Sequence, residues 1–373
     1  MQWLPGVPGR FLKGGYMLVF RADGNQKIGS GHIMRCISIA DEAVLHGQEC
    51  LFITAGGEFS NTIIAHGHKN KILNTEYNHM EQEASQLFSI LEETEKSDGL
   101  EAVLVDSYQV TGQYLNKLLE FCKAKGAKLV YIDDILSFAY PCDLLVNYNI
   151  YGPDCDYASL YQGAKTPALL LGTSYAPLRA EFQNLPARIV REKGRVIFIS
   201  TGGADFEHVG IQILREILSR GEAFHDYDFH FIIGAMNEDA QEMQNLAKQY
   251  TGSGKTHIVL HSNVTNMQQL MGKADVAISA AGSTLYELCA TNTPAVTYVL
   301  ADNQIPGAEG FSRHGALKNI GDVRELGVRA LSGLLVDSAV ELCNNYKSRK
   351  SIALQMSAVV DGLGAKRIVE AIL

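Results

Sequence analysis

The chain has 373 residues, of which 46% are hydrophobic and 20% charged, and a formal net charge of −9. That length exceeds one ordinary core and implies two domains, while the absence of long one-sign runs excludes a disordered chain. The negative balance excludes nucleic acid and anionic membrane surfaces as overall partners, although a local pocket can still hold a phosphate.

Residues 1–16, "MQWLPGVPGRFLKGGY", hold two prolines and four glycines and lack the apolar run of a signal peptide. They read as a flexible N-terminal extension, with Met17 a second candidate start. "MLVFRA" (17–22) has the short apolar run of a buried parallel strand. A helix follows from about Gly31 to His46, with Ile33, Cys36, Ile37 and Ala40 on one face. Next come a strand at 50–54, a helix after Glu58, a polar helix near 80–95 and a strand at 101–108. A helix over 111–125 ends at Gly126, and strands at 128–134 and 143–149 follow. Pro177, Pro186 and several charges interrupt the pattern between Ala176 and Lys193. The strand–helix alternation then restarts with strands at 195–200, 228–234, 257–262, 274–282 and 294–300. Two such runs predict two doubly wound parallel sheets with a cleft at the carboxyl ends of their strands. The expected division is 17–180 for the first domain, 181–194 for the linker and 195–352 for the second domain. Residues 353–373 close the chain with an apolar helical face at Leu363, Ile368, Val369 and Ile372, which fits a docking helix.

Three glycine loops stand at strand ends. "RADGNQKIGSGHIMR" fails the dinucleotide fingerprint, because Met34 occupies the third glycine position. It still brings backbone close to a ligand. His32 at its end is either a capping or packing histidine or a general base. "STGGAD" (200–205) is either a tight turn or a ligand loop. "SAAGSTLYE" (279–287) opens a helix whose free N–H groups at Ser283 and Thr284 suit a diphosphate. Glu287, one turn in, is either a sugar-hydroxyl ligand or a capping-box residue. Asp133 and Asp134 end a strand and serve either substrate or helix capping, and Tyr108 ends another. "GSGKT" (252–256) is no phosphate loop, since Gln249 stands where glycine is required. "HGH" (66–68) reads as a solvated polar turn. The seven cysteines lack CxxC spacing, which points to reduced thiols in a cytoplasmic protein and gives no zinc site. No metal and no cofactor are expected, nor is membrane insertion.

"FRADGNQKIGSGHIMRCISIA", "VDSY", "YIDD", "SAAGSTLYELCATNTPAVTYVLADNQ" and "DGLGAKRI" occur in that order. Together they resemble the UDP-2,4-diacetamido-2,4,6-trideoxy-β-L-altropyranose hydrolase family of pseudaminic acid biosynthesis. That family has a branch named for spore coat polysaccharide synthesis and belongs to the GT-B superfamily. The resemblance runs from about Met17 to the C-terminus and is weakest near 60–100 and 150–170. It implies two Rossmann-like domains, with the helix of 353–373 packing back on the first. It also implies a UDP site on the second: Gly202 and Gly203 closing over phosphates, and Asn263 and Val264 at the uracil. Gly282, Ser283 and Thr284 would meet the diphosphate, Glu287 the ribose, and Asn303 and Gln304 the ribose or sugar. The catalytic histidine of the family matches His32 and its assisting tyrosine Tyr108. Arg21, Asp23, Gly29, Gly31, Arg35, Asp133 and Asp134 are the candidate sugar contacts. The implied reaction is metal-independent attack of water at C1 with inversion, by a monomer that binds a UDP-sugar and releases UDP. A glycosyltransferase on the same scaffold, a hydrolysing 2-epimerase and a non-catalytic nucleotide-sugar binding protein are the alternatives.

Overall fold

The protein is described by a computed structural model covering residues 16–25, 27–250 and 257–373, with the side chain of Tyr250 excepted. The expectations for residues 1–15 and for "GSGKT" lie outside the described residues. Seven strands build the first sheet: β1 (Met17–Ala22), β2 (Glu49–Thr54), β3 (Lys69–Ile72), β4 (Leu100–Asp106), β5 (Lys128–Ile132), β6 (Leu144–Asn147) and β7 (Ala168–Leu171). Its helices are α1 (Gly31–Leu45), α2 (Ser60–Ala65), α3 (Met80–Asp98), α4 (Gly112–Lys125) and α5 (Tyr157–Leu160). The second sheet holds β8 (Val196–Ser200), β9 (Asp228–Ile233), β10 (His257–Ser262), β11 (Val276–Ala280), β12 (Ala295–Val299) and β13 (Lys318–Asp322). Around it stand α6 (Val209–Ser219), α7 (Ala240–Tyr250), α8 (Met267–Lys273), α9 (Thr284–Ala290), α10 (Ile305–Arg313), α11 (Val323–Leu326), α12 (Val328–Asn344) and α13 (Tyr346–Val359), and the last helix, α14 (Gly364–Ile372), returns to the first domain.

Both sheets are parallel, in the orders β3-β2-β1-β4-β5-β6-β7 and β10-β9-β8-β11-β12-β13. Every residue of β1 is buried, because a central strand is covered on both faces. The order reverses between β1 and β4 in the first sheet and between β8 and β11 in the second. Chains leaving the strands on either side of such a reversal diverge and open a crevice. That places the loops after β1, β4, β8 and β11 as the natural walls of a site.

Three strands have no counterpart in the sequence reading. β3 ("KNKI") and β13 ("KNIGD") are polar sheet edges, where lysine discourages further pairing and removes the apolar signal. β7 ("ALLL") is a four-residue edge strand in the stretch where the motifs are weakest. The polar turn at 66–68 also differs from expectation. His68 is buried and donates from Nε2 to Asp41 Oδ1 of α1 at 2.8 Å, and His66 donates from Nδ1 to the other oxygen at 2.9 Å.

Apolar clusters fill the outer face of each sheet. A third is continuous through both domains, from Phe20 and Ile37 through Ile368 to Phe198 and Leu288. α14 contributes to it by packing on α1, with Ile368, Val369 and Ile372 buried. The seven cysteines are free, and six are buried. Among the described residues no helix is long and apolar enough to cross a membrane.

Candidate active site

An open cavity of about 230 Å³ lies between the two sheets at the carboxyl ends of their strands. Of the predicted residues it brings together Gly31, His32, Arg35, Tyr108 and Asp134 from the first domain. Gly282, Ser283, Asn303 and Gln304 line it from the second.

α1 presents His32 and Arg35 one turn apart at its N-terminal end, directly after the glycine turn. Gly29 has φ +74°, a conformation that glycine reaches without strain. β4 ends at Asp106 beside β1, so its carboxylate lands under α1. Nδ1 of His32 stands 2.7 Å from Oδ1 of Asp106. Arg35 grips the same carboxylate from Nε and Nη2, each at 2.5 Å. Burial alone would push Asp106 up, but Arg35 and His32 outweigh it and hold the carboxyl well below the usual aspartate range. An ionised carboxylate only accepts, so Nδ1 of His32 carries a proton, and in the neutral ring the lone pair is then on Nε2. Arg35 Nη2 also lies 3.0 Å from Nδ1; both are donors, so Asp106 carries the pairing between them.

Arg35 reaches further, donating from Nη1 to Asp134 Oδ2 and to the Tyr148 hydroxyl, each at 2.7 Å. Tyr108 donates to Asp134 Oδ2 at 2.8 Å and stands edge-on to His32, with ring centroids 4.6 Å apart. Burial and the Asp134 charge push the Tyr108 phenol far up, so it works as a neutral hydroxyl. A smaller cavity behind His32 is lined by Asp23, Tyr77, Asp106 and Ser107.

Other predicted residues stand elsewhere. Arg21 is fully buried, pinned to Glu83 at 2.6 and 2.7 Å and to Asp23 at 2.6 Å, and so braces α3 rather than meeting a sugar. Asp133 is also fully buried. It accepts from the N–H groups of Ile135 and Leu136 and from the Tyr157 hydroxyl, which is the turn-capping alternative. Gly29, Gly202, Gly203, Asn263, Val264 and Thr284 do not line the cavity. Glu287 does not line it either: Arg179 of the interdomain segment donates to its Oε1 at 3.0 Å. Burial pushes the Glu287 carboxyl up, and Arg179 offsets part of that. The N-terminus of α6 is occupied by Asp205, whose carboxylate accepts from Val209 N and Gly210 N at 3.0 and 2.8 Å. In the "TGGAD" loop, exposed backbone at Gly202 and Gly203 is therefore what remains for a ligand.

The residues that sequence reasoning missed are Tyr148, Asn149, Tyr286 and Phe311 at the cavity, Asp106 behind His32, and Arg179 behind Glu287. Asp106 carried a usable signal, a carboxylate ending a strand one residue before the "SY" of its motif. The aromatic residues carried none, since apolar side chains in strand and helix patterns look like core. Among the described residues no three His, Cys, Asp or Glu side chains group as a metal site.

Residues 196–359 match the glycosyltransferase family 28 C-terminal domain. The chain is 26% identical over 76% of its length to an uncharacterized protein of Methanocaldococcus jannaschii; that match covers 55% of the relative, so the chain spans about half its length. It is 25% identical to the UDP-2,4-diacetamido-2,4,6-trideoxy-beta-L-altropyranose hydrolase of Campylobacter jejuni, over 80% of this chain and 97% of that protein. Identity to a spore coat polysaccharide biosynthesis protein of Bacillus subtilis is 22%, over 93% and 95% of the two chains. Among solved structures, MurG of Acinetobacter baumannii superposes with a TM-score of 0.60 at 11% identity, covering 96% and 99%. The UDP-GlcNAc 2-epimerase of Neisseria meningitidis gives 0.61 at 14%, covering 95% and 99%. The chain thus has the GT-B fold, and over most of its length it is similar to the Campylobacter hydrolase and the Bacillus spore coat protein.

Proposed function

We propose that this protein is a nucleotide-sugar hydrolase that releases UDP from a UDP-2,4-diacetamido-2,4,6-trideoxyhexose by attack of water at C1 with inversion. The observation that carries the reading is the His32–Asp106 pair at the cavity wall, across from the Gly282–Ser283 turn. One domain offers a base, and the other offers N–H groups for a leaving diphosphate.

His32 acts as general base through Nε2. As the water oxygen bonds to C1, its proton passes to Nε2 and the C1–O bond to the β-phosphate breaks. UDP departs with the bonding pair on the opposite face, which inverts C1. Asp106 keeps the imidazole in the useful tautomer and faces the charge that forms on it. Backbone N–H groups at Ser283 and Thr284 and the dipole of α9 stabilise the charge on the departing diphosphate. Tyr108 and Asp134 orient the sugar. Glu287, outside the cavity lining and held by Arg179, would take the ribose of a nucleotide that extends past the cavity along α9.

A glycosyltransferase is the second reading, and the family 28 domain over 196–359 is the observation that favours it. The two separate in one experiment. Purified protein is given the UDP-diacetamido-trideoxyhexose or, separately, UDP-N-acetylglucosamine, without an acceptor, and UDP and the free sugar's anomer are followed by NMR. The expected result is release from the first substrate only, with inversion. No release from either refutes this substrate and leaves the transferase or a different UDP-sugar.

A further inference from the structure

A chain of hydrogen bonds crosses the cleft from α9 to His32. The Tyr286 hydroxyl, on the second domain, donates to Asn149 Oδ1 of the first at 3.2 Å. Asn149 Nδ2 donates in turn to Asp134 Oδ1 at 2.8 Å. Asp134 receives Arg35 and Tyr108, and Arg35 shares Asp106 with His32. Tyr286 therefore belongs to the helix that carries Thr284 and Glu287, yet its hydroxyl ends in the network that holds the base.

The Asn149 amide is fixed in orientation by its neighbours. Its nitrogen faces two acceptors, Asp134 Oδ1 and Asn147 Oδ1 at 3.0 Å, which leaves its oxygen for the phenol. Asparagine can donate to a carboxylate on one side and accept from a phenol on the other, and neither aspartate nor leucine can do both. The rings around the contact set the angle of approach. Tyr286 stands edge-on to Tyr148 at 5.4 Å and to Phe311 at 5.1 Å. Next to them Gly310 of α10 meets Ile150 so closely that a Cβ there would lie 2.5 Å from Ile150 Cγ2.

We infer that Asn149 and Tyr286 are a positioning pair that docks the two domains in the register that sets His32 against the bound sugar. The inference rests on the reading of His32 as the base. UDP itself is held by the second domain, so the pair should act on turnover and leave UDP affinity alone.

The test is a double-mutant cycle of Tyr286→Phe and Asn149→Ala, read as kcat for UDP release and, separately, as UDP affinity by calorimetry. Tyr286→Phe keeps the buried ring, so the fold is retained. Each variant should lower kcat about 3- to 10-fold, the worth of one buried hydrogen bond, with UDP affinity within about twofold. The double variant should lose no more than either single one. Asn149→Asp sets a carboxylate against Asp134 and should lower kcat further than Asn149→Ala. Independent losses that multiply in the double variant would overturn the pairing, as would a drop in UDP affinity equal to the drop in kcat.

A second arm needs no turnover. Fluorophores on the two domains report their separation by energy transfer, and Tyr286→Phe should broaden that distribution in UDP-bound protein. An unchanged distribution together with unchanged kcat would overturn the docking role. His32→Ala assayed in parallel isolates the underlying reading. Full turnover in that variant would remove the base assignment and, with it, the catalytic part of the inference. The energy-transfer arm would still decide whether the pair docks the domains.

Discussion

Replacing Asp106 with asparagine is the sharpest perturbation of the proposed base. Oδ1 of Asp106 faces His32 Nδ1 and Arg35 Nη2, while Oδ2 faces Arg35 Nε. An amide must put its NH2 on one of these two sides. On the first, His32 has to accept at Nδ1, which moves its proton to Nε2 and removes the lone pair from the reacting position. On the second, two donors oppose each other at Arg35 and the carboxamide is driven out of line. The ceiling on the kinetic loss is what a positioned base supplies, about 10²–10⁴-fold, or about 3–5 kcal/mol in barrier. The stability loss is smaller, about 1–3 kcal/mol for a buried donor left unsatisfied, because Asp134 and Tyr148 still hold Arg35. Single-turnover UDP release with a thermal melt of the same sample separates the two. Asp106→Asn should fall close to His32→Ala, and the double variant should fall no lower than His32→Ala alone. Wild-type turnover in folded Asp106→Asn, or losses that multiply in the double variant, would refute the dyad.

Glu287→Ala should weaken UDP binding, and Arg179→Gln should weaken it less, because the arginine touches the carboxylate and not the ligand; equal UDP affinity in Glu287→Ala and wild type, by calorimetry, would remove the ribose assignment. Burial pushes Asp205 up to about 6, above an ordinary aspartate, so the native state keeps a proton that the unfolded chain has released. That contribution is complete below about pH 4 and is lost as pH rises through about 6, by at most about 3 kcal/mol. Asp205→Asn should therefore gain on wild type in melting temperature across that window, and a constant difference from pH 4 to 7 would contradict the assignment.

The sheets were legible because their central strands are apolar on both faces. "MLVFRA" and "VIFIS" can hardly be anything else once helices alternate with them. β3 and β13 were illegible for the opposite reason: a solvated edge needs lysine and asparagine, and those residues erase the strand signal. His32, Arg35 and Ser283 were legible as residues that would share one cavity, because they follow glycine turns at strand ends. Arg21 and Asp133 were misleading for a related cause. Both stand at strand ends, as site residues do, but one meets Glu83 across the domain and the other closes its own turn. Only a tertiary partner distinguishes a charge that faces a ligand from a charge that holds two elements together. Asp106 shows the converse, a residue inside a recognised motif whose meaning depends on α1 crossing above it.

The charges of the cavity bear on how a nucleotide sugar would lie in it. Among the described lining residues the only permanent cation is Arg35, and its guanidinium is already engaged by Asp106, Asp134 and Tyr148. In the first-domain wall Arg35 is paired with Asp134 at its surface and with Asp106 behind it, so the wall offers no free cation to a diphosphate. The second domain offers instead the backbone of Gly282 and Ser283 at the start of α9, which are partial charges held at short range. In the proposed reading the diphosphate therefore lies at α9 and the uncharged sugar at His32. Binding of this kind differs measurably from a lysine or arginine clamp. Free surface charges are screened over about 10 Å at 0.1 M salt, whereas N–H groups in direct contact are not. UDP affinity should thus change by less than about threefold between roughly 0.05 and 0.5 M sodium chloride. A steep fall with salt would show that side-chain cations, rather than the α9 backbone, hold the phosphates, and the orientation argued here would fail with it.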